Sequence, residues 1–273
     1  MRNILITGAS SGIGFDTAIY LYNRGYKVYA TARDIEDVKK LRDLGLKSYQ
    51  LDVRDFKQVK EVLEKIIAED KKLYALFNNA GYGQSGAVED LSVDILKQQF
   101  ETNFFALFNL TNEVLKIMRK QGYGRILQHS SVLGLISLRF RGAYNASKYA
   151  IEGLNDTLRL ELSNTNIFVS TINTGPIKSK FRDNAIKIFF ETINYKDSIF
   201  RSEYEKEVLG RKESKDDDIW TKNSDVVFKN IVHALEAKRA KPRYYNTEAT
   251  YILAFLKRVL PTNLLDKILR KIV

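Results

Sequence analysis

Residues 3–14 read NILITGASSGIG, and this stretch decides the fold. Asn3–Ile6 is a short apolar run with the length and composition of a buried strand, and the next eight residues contain three glycines. A segment with helical periodicity begins directly after the last of these glycines. Strand, glycine loop and helix in this order predict a βα unit whose loop lies at the N-terminus of the helix.

The glycine loop also predicts a ligand. Glycines allow positive φ angles and close approach of the backbone, while the start of a helix offers N–H groups and a favourable dipole to an anion. These properties suit the pyrophosphate of a dinucleotide. The residues predicted to form its cradle are Gly8, Ser10, Ser11, Gly12, Ile13 and Gly14. The alternative is a tight strand-to-helix turn that binds nothing.

The rest of the chain alternates short apolar runs with longer helical segments, as expected for βαβ units around a parallel sheet. Strands are predicted at Asn3–Ile6, Lys27–Thr31, Ser48–Leu51, Ala75–Asn78, Gly124–His129, Ile167–Asn173 and Arg243–Tyr245. Long helices are predicted at Val59–Glu69, Val93–Met118 and Tyr144–Leu162. The sequence therefore predicts an α/β fold with a doubly wound, Rossmann-type parallel sheet, helices on both faces, and a single domain over residues 1–273.

Two segments depart from this alternation. Residues 178–223 mix charges with aromatic and aliphatic side chains after a strand, which predicts a lid over the site; the run Lys215–Asp218 within it reads as a solvated turn. Residues 248–273 predict two short amphipathic basic helices separated by Pro261. These helices could close the substrate pocket, pack on a partner subunit or lie on an anionic membrane.

Composition limits the classes of function. Among the 273 residues 44% are hydrophobic and 28% charged, which is enough to build a core. The absence of cysteine excludes disulfides and thiolate metal sites, and no metal is expected. Because no long apolar stretch and no signal-like segment occurs, we expect a cytoplasmic protein.

The net charge of +11 is unevenly distributed. Residues 238–273 contain nine Lys or Arg against two acids and thus carry +7, which leaves only +4 for the rest of the chain. A broadly basic face with interleaved aromatic residues is therefore not expected, and nucleic acid is not predicted as a partner.

Six ordered motifs carry a family resemblance. They are Thr7-Gly8 with Gly12 and Gly14, Asp52-Val53, Asn78-Asn79-Ala80-Gly81, Asn103, Ser131, and Tyr144 with Lys148. Their order and spacing over residues 1–180 resemble the classical short-chain dehydrogenase/reductase family. The resemblance implies an oxidoreductase that passes a hydride between a nicotinamide dinucleotide and a carbonyl or secondary alcohol.

The resemblance also assigns a catalytic set, namely Asn103, Ser131, Tyr144 and Lys148. Tyr144 and Lys148 are four residues apart on a predicted helix and share a face, so the ammonium is expected to lower the pKa of the phenol. Ser131 is expected to hold the substrate oxygen, with the adjacent Ser130 as the rival position. Asn103 resembles the asparagine whose backbone distortion supports a water-mediated proton relay, although it could instead satisfy a neighbouring helix. His129 is expected to be a packed core histidine.

The cofactor predictions follow the same motifs. Arg33 lies just after the second predicted strand. Similar NAD-dependent enzymes carry an acidic residue one position earlier in the chain. A guanidinium, by contrast, suits the 2′-phosphate of NADP. Asp34 could cap the next helix or compete for the ribose, so NADP is preferred and NAD stays possible. The resemblance adds Asp52, Val53, Asn79, Ala80 and Gly81 for the adenosine, and Tyr144 and Lys148 for the nicotinamide end. Gly175, Ile177 and Ser179 complete the cofactor-binding set. In similar proteins a proline directly precedes the glycine of this last motif, and this chain lacks it.

The expected function is an NADP-dependent reductase or dehydrogenase for an apolar, steroid-, retinoid- or lipid-like substrate, acting as a homodimer or homotetramer. The alternatives are a dinucleotide sensor without turnover and a membrane-surface protein anchored by its basic C-terminus. Tails in similar proteins close the substrate site or contact a subunit, so membrane contact ranks third among the uses of residues 248–273.

Overall fold

Seven parallel strands form one sheet in the computed structural model, which describes residues 2–206 and 220–272. The strands are β1 Asn3–Ile6, β2 Lys27–Ala32, β3 Lys47–Gln50, β4 Ala75–Asn78, β5 Gly124–Ser131, β6 Ile167–Thr174 and β7 Arg243–Tyr245. Their order is β3-β2-β1-β4-β5-β6-β7, so the direction of winding reverses between β1 and β4. Ligands of such sheets bind outside the carboxyl ends at this reversal. The predicted fold class is confirmed.

The helices lie on both faces of the sheet. They are α1 Gly12–Asn23, α2 Ile35–Asp43, α3 Phe56–Asp70, α4 Val93–Phe100, α5 Ala106–Gln121, α6 Gly142–Glu161, α7 Phe181–Thr192, α8 Arg201–Tyr204, α9 Phe228–Glu236, α10 Glu248–Val259 and α11 Thr262–Leu269. A π-helical segment, Glu101–Phe105, joins α4 to α5. The predicted helix Val93–Met118 is therefore formed by two α-helices that a π-helical segment joins.

Alternation along the strands supplies two cores. Ile4 and Ile6 belong to the cluster that packs against α1 and α9, while Leu5 between them belongs to the cluster that packs against α3 and α5. All three side chains are fully buried. Strands covered on both faces read as continuous apolar runs, and the short β1 run was recognisable for that reason.

The C-terminal helices pack beside the carboxyl end of β5. Leu253 of α10 joins a cluster with Val132 and Ile136, in the segment that directly follows this strand. The opposite side of α10 leaves Tyr251 and Phe255 exposed. In the parts of the chain described, no helix combines the length and apolar character needed to cross a bilayer.

The predicted lid is only partly described. Its described part includes α7 and α8, whose Phe189 and Tyr204 are buried in an aromatic cluster with Phe140. Residues 207–219, with the run Lys215–Asp218, lie outside the described residues.

Candidate active site

The glycine loop is held against the end of β4. Thr7 Oγ1 accepts hydrogen bonds from the backbone N–H groups of Asn79 (3.0 Å) and Ala80 (3.1 Å). Asn79 Nδ2 donates to the carbonyls of Thr7 (3.0 Å) and Gly8 (3.1 Å). Asn79 and Ala80 therefore hold the glycine loop in position through hydrogen bonds. This gives the Asn-Ala-Gly turn a structural role in addition to its expected contact with adenosine.

Two glycines let the loop pack closely against the turn after β4. Gly8 has φ +64°, and a Cβ there would lie 2.8 Å from Ala80 Cα. A Cβ at Gly14 would lie 2.3 Å from Asn79 Nδ2 and 2.4 Å from the Gly8 carbonyl oxygen. The N-cap residue of α1, Ser11, makes no side-chain capping bond, and the first turn contains no acid. The N–H groups of this turn thus suit an anionic ligand, and the residues present fit the pyrophosphate.

The residues expected at the adenosine end include one whose side chain the structure places. Asp34 caps α2 by accepting from Glu36 N at 2.8 Å, so it acts as the helix cap that the sequence allowed. Arg33 is exposed just beyond β2. The Asp52 carboxylate receives Arg54 Nε at 3.0 Å and Nη2 at 2.6 Å, and this guanidinium lowers the pKa of Asp52. Sequence reasoning did not single out Arg54.

The loop after β6 lies next to the glycine loop. A Cβ on Gly12 would lie 3.1 Å from Ser179 Cβ, so Ser179 lies beside the glycine loop. Ile177 pairs in a parallel bridge with Lys222. Gly175 packs against Thr247, because an added Cβ would lie 2.2 Å from Thr247 Oγ1. Backbone pairing across this loop therefore replaces part of the rigidity that the missing proline would supply.

The three central catalytic candidates meet beyond the carboxyl end of β5. Ser131 ends this strand, and its side chain interacts with the Tyr144 phenol of α6. Lys148 Nζ lies 5.6 Å from the centre of the Tyr144 ring and donates to the His129 carbonyl at 2.7 Å. All three side chains are buried. Ser130, the rival serine, is buried on the other side, and its hydroxyl has no hydrogen-bond partner within residues 2–206 and 220–272.

Burial sets the protonation of this group. It raises the pKa of Tyr144 to about 12, while the interaction with the Ser131 hydroxyl acts in the opposite direction. It lowers the pKa of Lys148 to about 8, against the attraction of the Glu152 carboxylate. The expectation of a lowered pKa for Tyr144 is therefore wrong in this structure, since loss of hydration is the largest influence on it. At neutral pH Tyr144 is a phenol that can donate a proton.

Asn103 lies in the π-helical segment, so the predicted backbone distortion is present. Its side chain accepts from Tyr82 N at 3.0 Å and donates to Tyr82 O at 2.9 Å. A longer contact of 3.3 Å reaches Ser147 Oγ on α6. Asn103 thus fixes the Tyr82 backbone after β4 and also contacts a neighbouring helix. Sequence reasoning missed Tyr82, because nothing in its local pattern marks a backbone partner.

His129 is a structural bridge, in line with its prediction as a packed histidine. Its Nδ1 lies 2.9 Å from Asn79 Oδ1 and its Nε2 lies 3.1 Å from Thr174 Oγ1. Loss of hydration, together with the nearby Lys148 charge, lowers the pKa of His129 to about 3, so the ring is neutral. It ties together the ends of β4, β5 and β6. No group of acids, cysteines or histidines in the described ranges could hold a metal ion.

The first helix of the predicted lid, α7, begins beside Tyr144. The Phe181 ring centre lies 5.5 Å from that of Tyr144. An adjoining cavity of about 150 Å³ is mainly aromatic and aliphatic, with a few polar side chains. It is lined by Ser85, Gly86, Phe140, Arg141, Phe181, Arg182, Ala185, Ile186, Phe189 and Tyr204. That residues 178–223 act as a lid stays a prediction.

Comparisons with known proteins agree with this geometry. A family model described as short chain dehydrogenase matches residues 2–187. The uncharacterized oxidoreductase YbbO of Escherichia coli K12 is 37% identical over 270 residues, covering 98% of this chain and 94% of that protein. A 3-ketodihydrosphingosine reductase of Bacteroides thetaiotaomicron is 38% identical over 202 residues, covering 73% of each chain. A solved structure of serine dehydrogenase complexed with NADP+ is 25% identical, with a TM-score of 0.76 over 91% of this chain and 96% of that one.

Replacing Gly14 with alanine tests the cradle. The new methyl group meets Asn79 and the Gly8 carbonyl, so we expect nicotinamide dinucleotide affinity to fall about 10- to 100-fold, matching about 1–3 kcal/mol of overpacking. Fluorescence titration with NADPH and NADH measures it. The control is Gly153→Ala on α6, where a Cβ meets nothing within 4 Å and binding is unchanged. Equal affinities for the two variants would contradict the assignment.

Proposed function

This chain belongs to the short-chain dehydrogenase/reductase family, and we propose that it is an NADP-dependent oxidoreductase that interconverts a carbonyl and a secondary alcohol. The observation that carries the proposal is the buried group of Ser131, Tyr144 and Lys148 beside a glycine cradle. The family sets the coarser statement, an oxidoreductase with a nicotinamide dinucleotide. Cofactor preference, substrate and the role of each residue are the proposal.

The chain's own residues would divide the reaction as follows. The reduced nicotinamide, when bound, supplies the hydride. Ser131 and Tyr144 hold the substrate oxygen, and the Tyr144 phenol gives it a proton as negative charge develops there. The Lys148 ammonium stabilises the phenolate left behind, from its fixed position on the His129 carbonyl. Asn103 keeps the π-helical segment and Tyr82 in place.

Reduction is the direction that protonation favours. Because burial raises the pKa of Tyr144 to about 12, the phenol keeps its proton throughout the physiological range. Oxidation needs the phenolate, which requires added positive charge at the site. We therefore propose a carbonyl reductase as the principal activity.

Preference for NADP rests on Arg33. Its guanidinium is exposed beyond β2, and the neighbouring Asp34 is engaged as a helix cap instead of being offered to a ribose. A guanidinium binds phosphate with strong, directed hydrogen bonds. The related serine dehydrogenase structure contains NADP+, which supports this choice.

The cavity under the lid supports an apolar substrate. Phe140, Phe181 and Phe189 line it, and the Phe181 ring lies next to Tyr144. One relative is named as a 3-ketodihydrosphingosine reductase, whose substrate is a lipid ketone. We propose that the substrate belongs to the same broad class of apolar ketones.

The outer face of α5 supports a homodimer or homotetramer. Phe105 and Phe108 are about two-fifths exposed and lie beside Phe56 around a shallow depression. Exposed aromatic groups of this kind mark association surfaces. A second copy of the chain is the proposed partner.

The C-terminal helices support the membrane-surface candidate as an added property. Phe255 and Val259 of α10 are 63% and 53% exposed, and Lys257 and Arg258 lie between them. An exposed apolar side with flanking cations suits the surface of an anionic bilayer.

The experiment that tests the proposed function is NADPH oxidation against apolar ketones with Tyr144→Phe. We expect turnover to fall at least about 100-fold because the proton donor is lost, while NADPH affinity stays within about twofold. Tyr149→Phe is the control, since its hydroxyl bonds the Leu135 carbonyl on the outside of the same helix. Undiminished turnover in Tyr144→Phe would contradict the mechanism, and NADPH binding without turnover in wild type would favour a sensor.

Arg33→Ala tests the cofactor preference. We expect NADPH affinity to fall about 10- to 100-fold through loss of charged hydrogen bonds, while NADH affinity stays the same. Isothermal titration with both cofactors measures the difference. Lys39→Ala, an exposed cation on α2 paired with Glu36, is the control. Parallel losses for both cofactors would argue against 2′-phosphate recognition.

Vesicle co-sedimentation tests the membrane property. We expect the wild type to pellet with vesicles rich in phosphatidylglycerol and not with neutral phosphatidylcholine, and the double variant Phe255→Ser, Val259→Ser to remain in solution. Val88→Ser, Val93→Ser, at two other exposed positions, is the control. A wild type that does not pellet with either vesicle would remove the membrane candidate.

A further inference from the structure

Glu152 extends the catalytic row of α6. It follows Lys148 by four residues, as Lys148 follows Tyr144, and residues at this spacing share one helix face. All three side chains are at least nine-tenths buried, with Glu152 only 6% exposed. Glutamate is rarely buried to this extent unless it is paired.

The Glu152 carboxylate is held by the last two strands of the sheet. Its Oε1 accepts from Asn173 Nδ2 of β6 at 2.6 Å. Its Oε2 accepts from Arg243 Nε of β7 at 2.9 Å and, at 3.4 Å, from the Thr171 hydroxyl. The carboxylate is therefore fixed against a rigid sheet.

The same groups reach the catalytic end of β5. Asn173 Nδ2 also contacts the Ser131 carbonyl at 3.4 Å. The turn after Ser131 packs on α6 so closely that a Cβ on Gly134 would lie 3.1 Å from the Lys148 carbonyl and 3.2 Å from Glu152 Cγ. Glu152 thus sits between the helix that carries Tyr144 and the strand that carries Ser131.

We propose that Glu152, clamped by Arg243, is a positioning residue for the catalytic pair: it keeps the Lys148 ammonium charged and holds the end of β5 against α6. The inference rests on the proposed function, because it concerns the same site. It assigns no contact with substrate or cofactor to Glu152.

Titratable and charged groups face this row from α6, β5 and β7. Facing Lys148 are Tyr144 and Glu152 on its own helix and His129 on β5, of which His129 is neutral at working pH. Facing Glu152 are Lys148 and, from β7, Arg243. Arg243 also pairs with Asp156, one turn further along α6, at 2.7 Å. Positive and negative groups therefore alternate from the site outward.

The direction of the pH effect follows. Burial lowers the pKa of Lys148 to about 8, and the Glu152 charge opposes this decrease. Removal of that charge must lower the pKa further, so the ammonium is lost at a lower pH. Reduction that depends on a charged Lys148 would then decline earlier as pH rises.

The test compares Glu152→Gln with Asp156→Asn. Both variants remove a carboxylate that pairs with Arg243, but Asp156 is 44% exposed and lies one turn farther from Lys148. The first readout is the Lys148 titration, followed by NMR in protein labelled at lysine Cε and identified by loss of the signal in Lys148→Arg. The second is the pH profile of ketone reduction, with melting temperature as a check of folding.

We expect Glu152→Gln to move the Lys148 midpoint and the alkaline limb of the rate to lower pH by about one pH unit, and Asp156→Asn to leave both in place. Glu152→Asp keeps the charge, so we expect its Lys148 midpoint and its alkaline limb to stay close to those of wild type. This variant is the one measured if Glu152→Gln does not fold. An unmoved midpoint in Glu152→Gln, or equal shifts in Glu152→Gln and either of the other variants, would overturn the proposal. If no ketone is reduced, the proposed function fails while the NMR titration still decides this inference.

Discussion

Burial of the Lys148 ammonium is the constraint on which the site depends. A charge inside a protein is several kcal/mol unfavourable unless neighbouring groups compensate it. Here the compensation comes from the His129 carbonyl at 2.7 Å and from the Glu152 carboxylate. Both partners must be rigid, and each is: His129 is bound on both ring nitrogens, and Glu152 is held by two strands. The polar ends of β4 to β7 thus form a frame around one cation.

This frame gives Tyr144 and Lys148 different protonation behaviour, which their helical spacing alone does not indicate. Helical spacing brings the phenol and the ammonium to one face, but it also takes both out of water. In the resulting environment the phenol keeps its proton and the ammonium lies close to losing one. A proton donor next to a cation that steadies the charge left behind is the arrangement a reductase needs.

Sequence predicted the fold well because the strands are short apolar runs between helices, and each strand was placed within two residues of its observed bounds. It also brought Ser131, Tyr144 and Lys148 together correctly. It failed on the pKa of Tyr144, because charge pairing can be read from spacing whereas loss of hydration depends on tertiary burial. Arg243 was predicted only as part of a strand, since its partner Glu152 lies 91 positions away. The row at 144, 148 and 152 was the one available signal.

The C-terminal third is a working part of the site. The family model ends at residue 187, yet three later residues contact side chains or turns that border the candidate site. Arg243 clamps Glu152, Thr247 packs against Gly175 beside the cofactor loop, and Leu253 packs on the turn that follows Ser131. These contacts support the helix that carries Tyr144, the loop after β6 and the strand that ends at Ser131 in turn. Residues beyond the segment that defines the family therefore help to hold the candidate site in place.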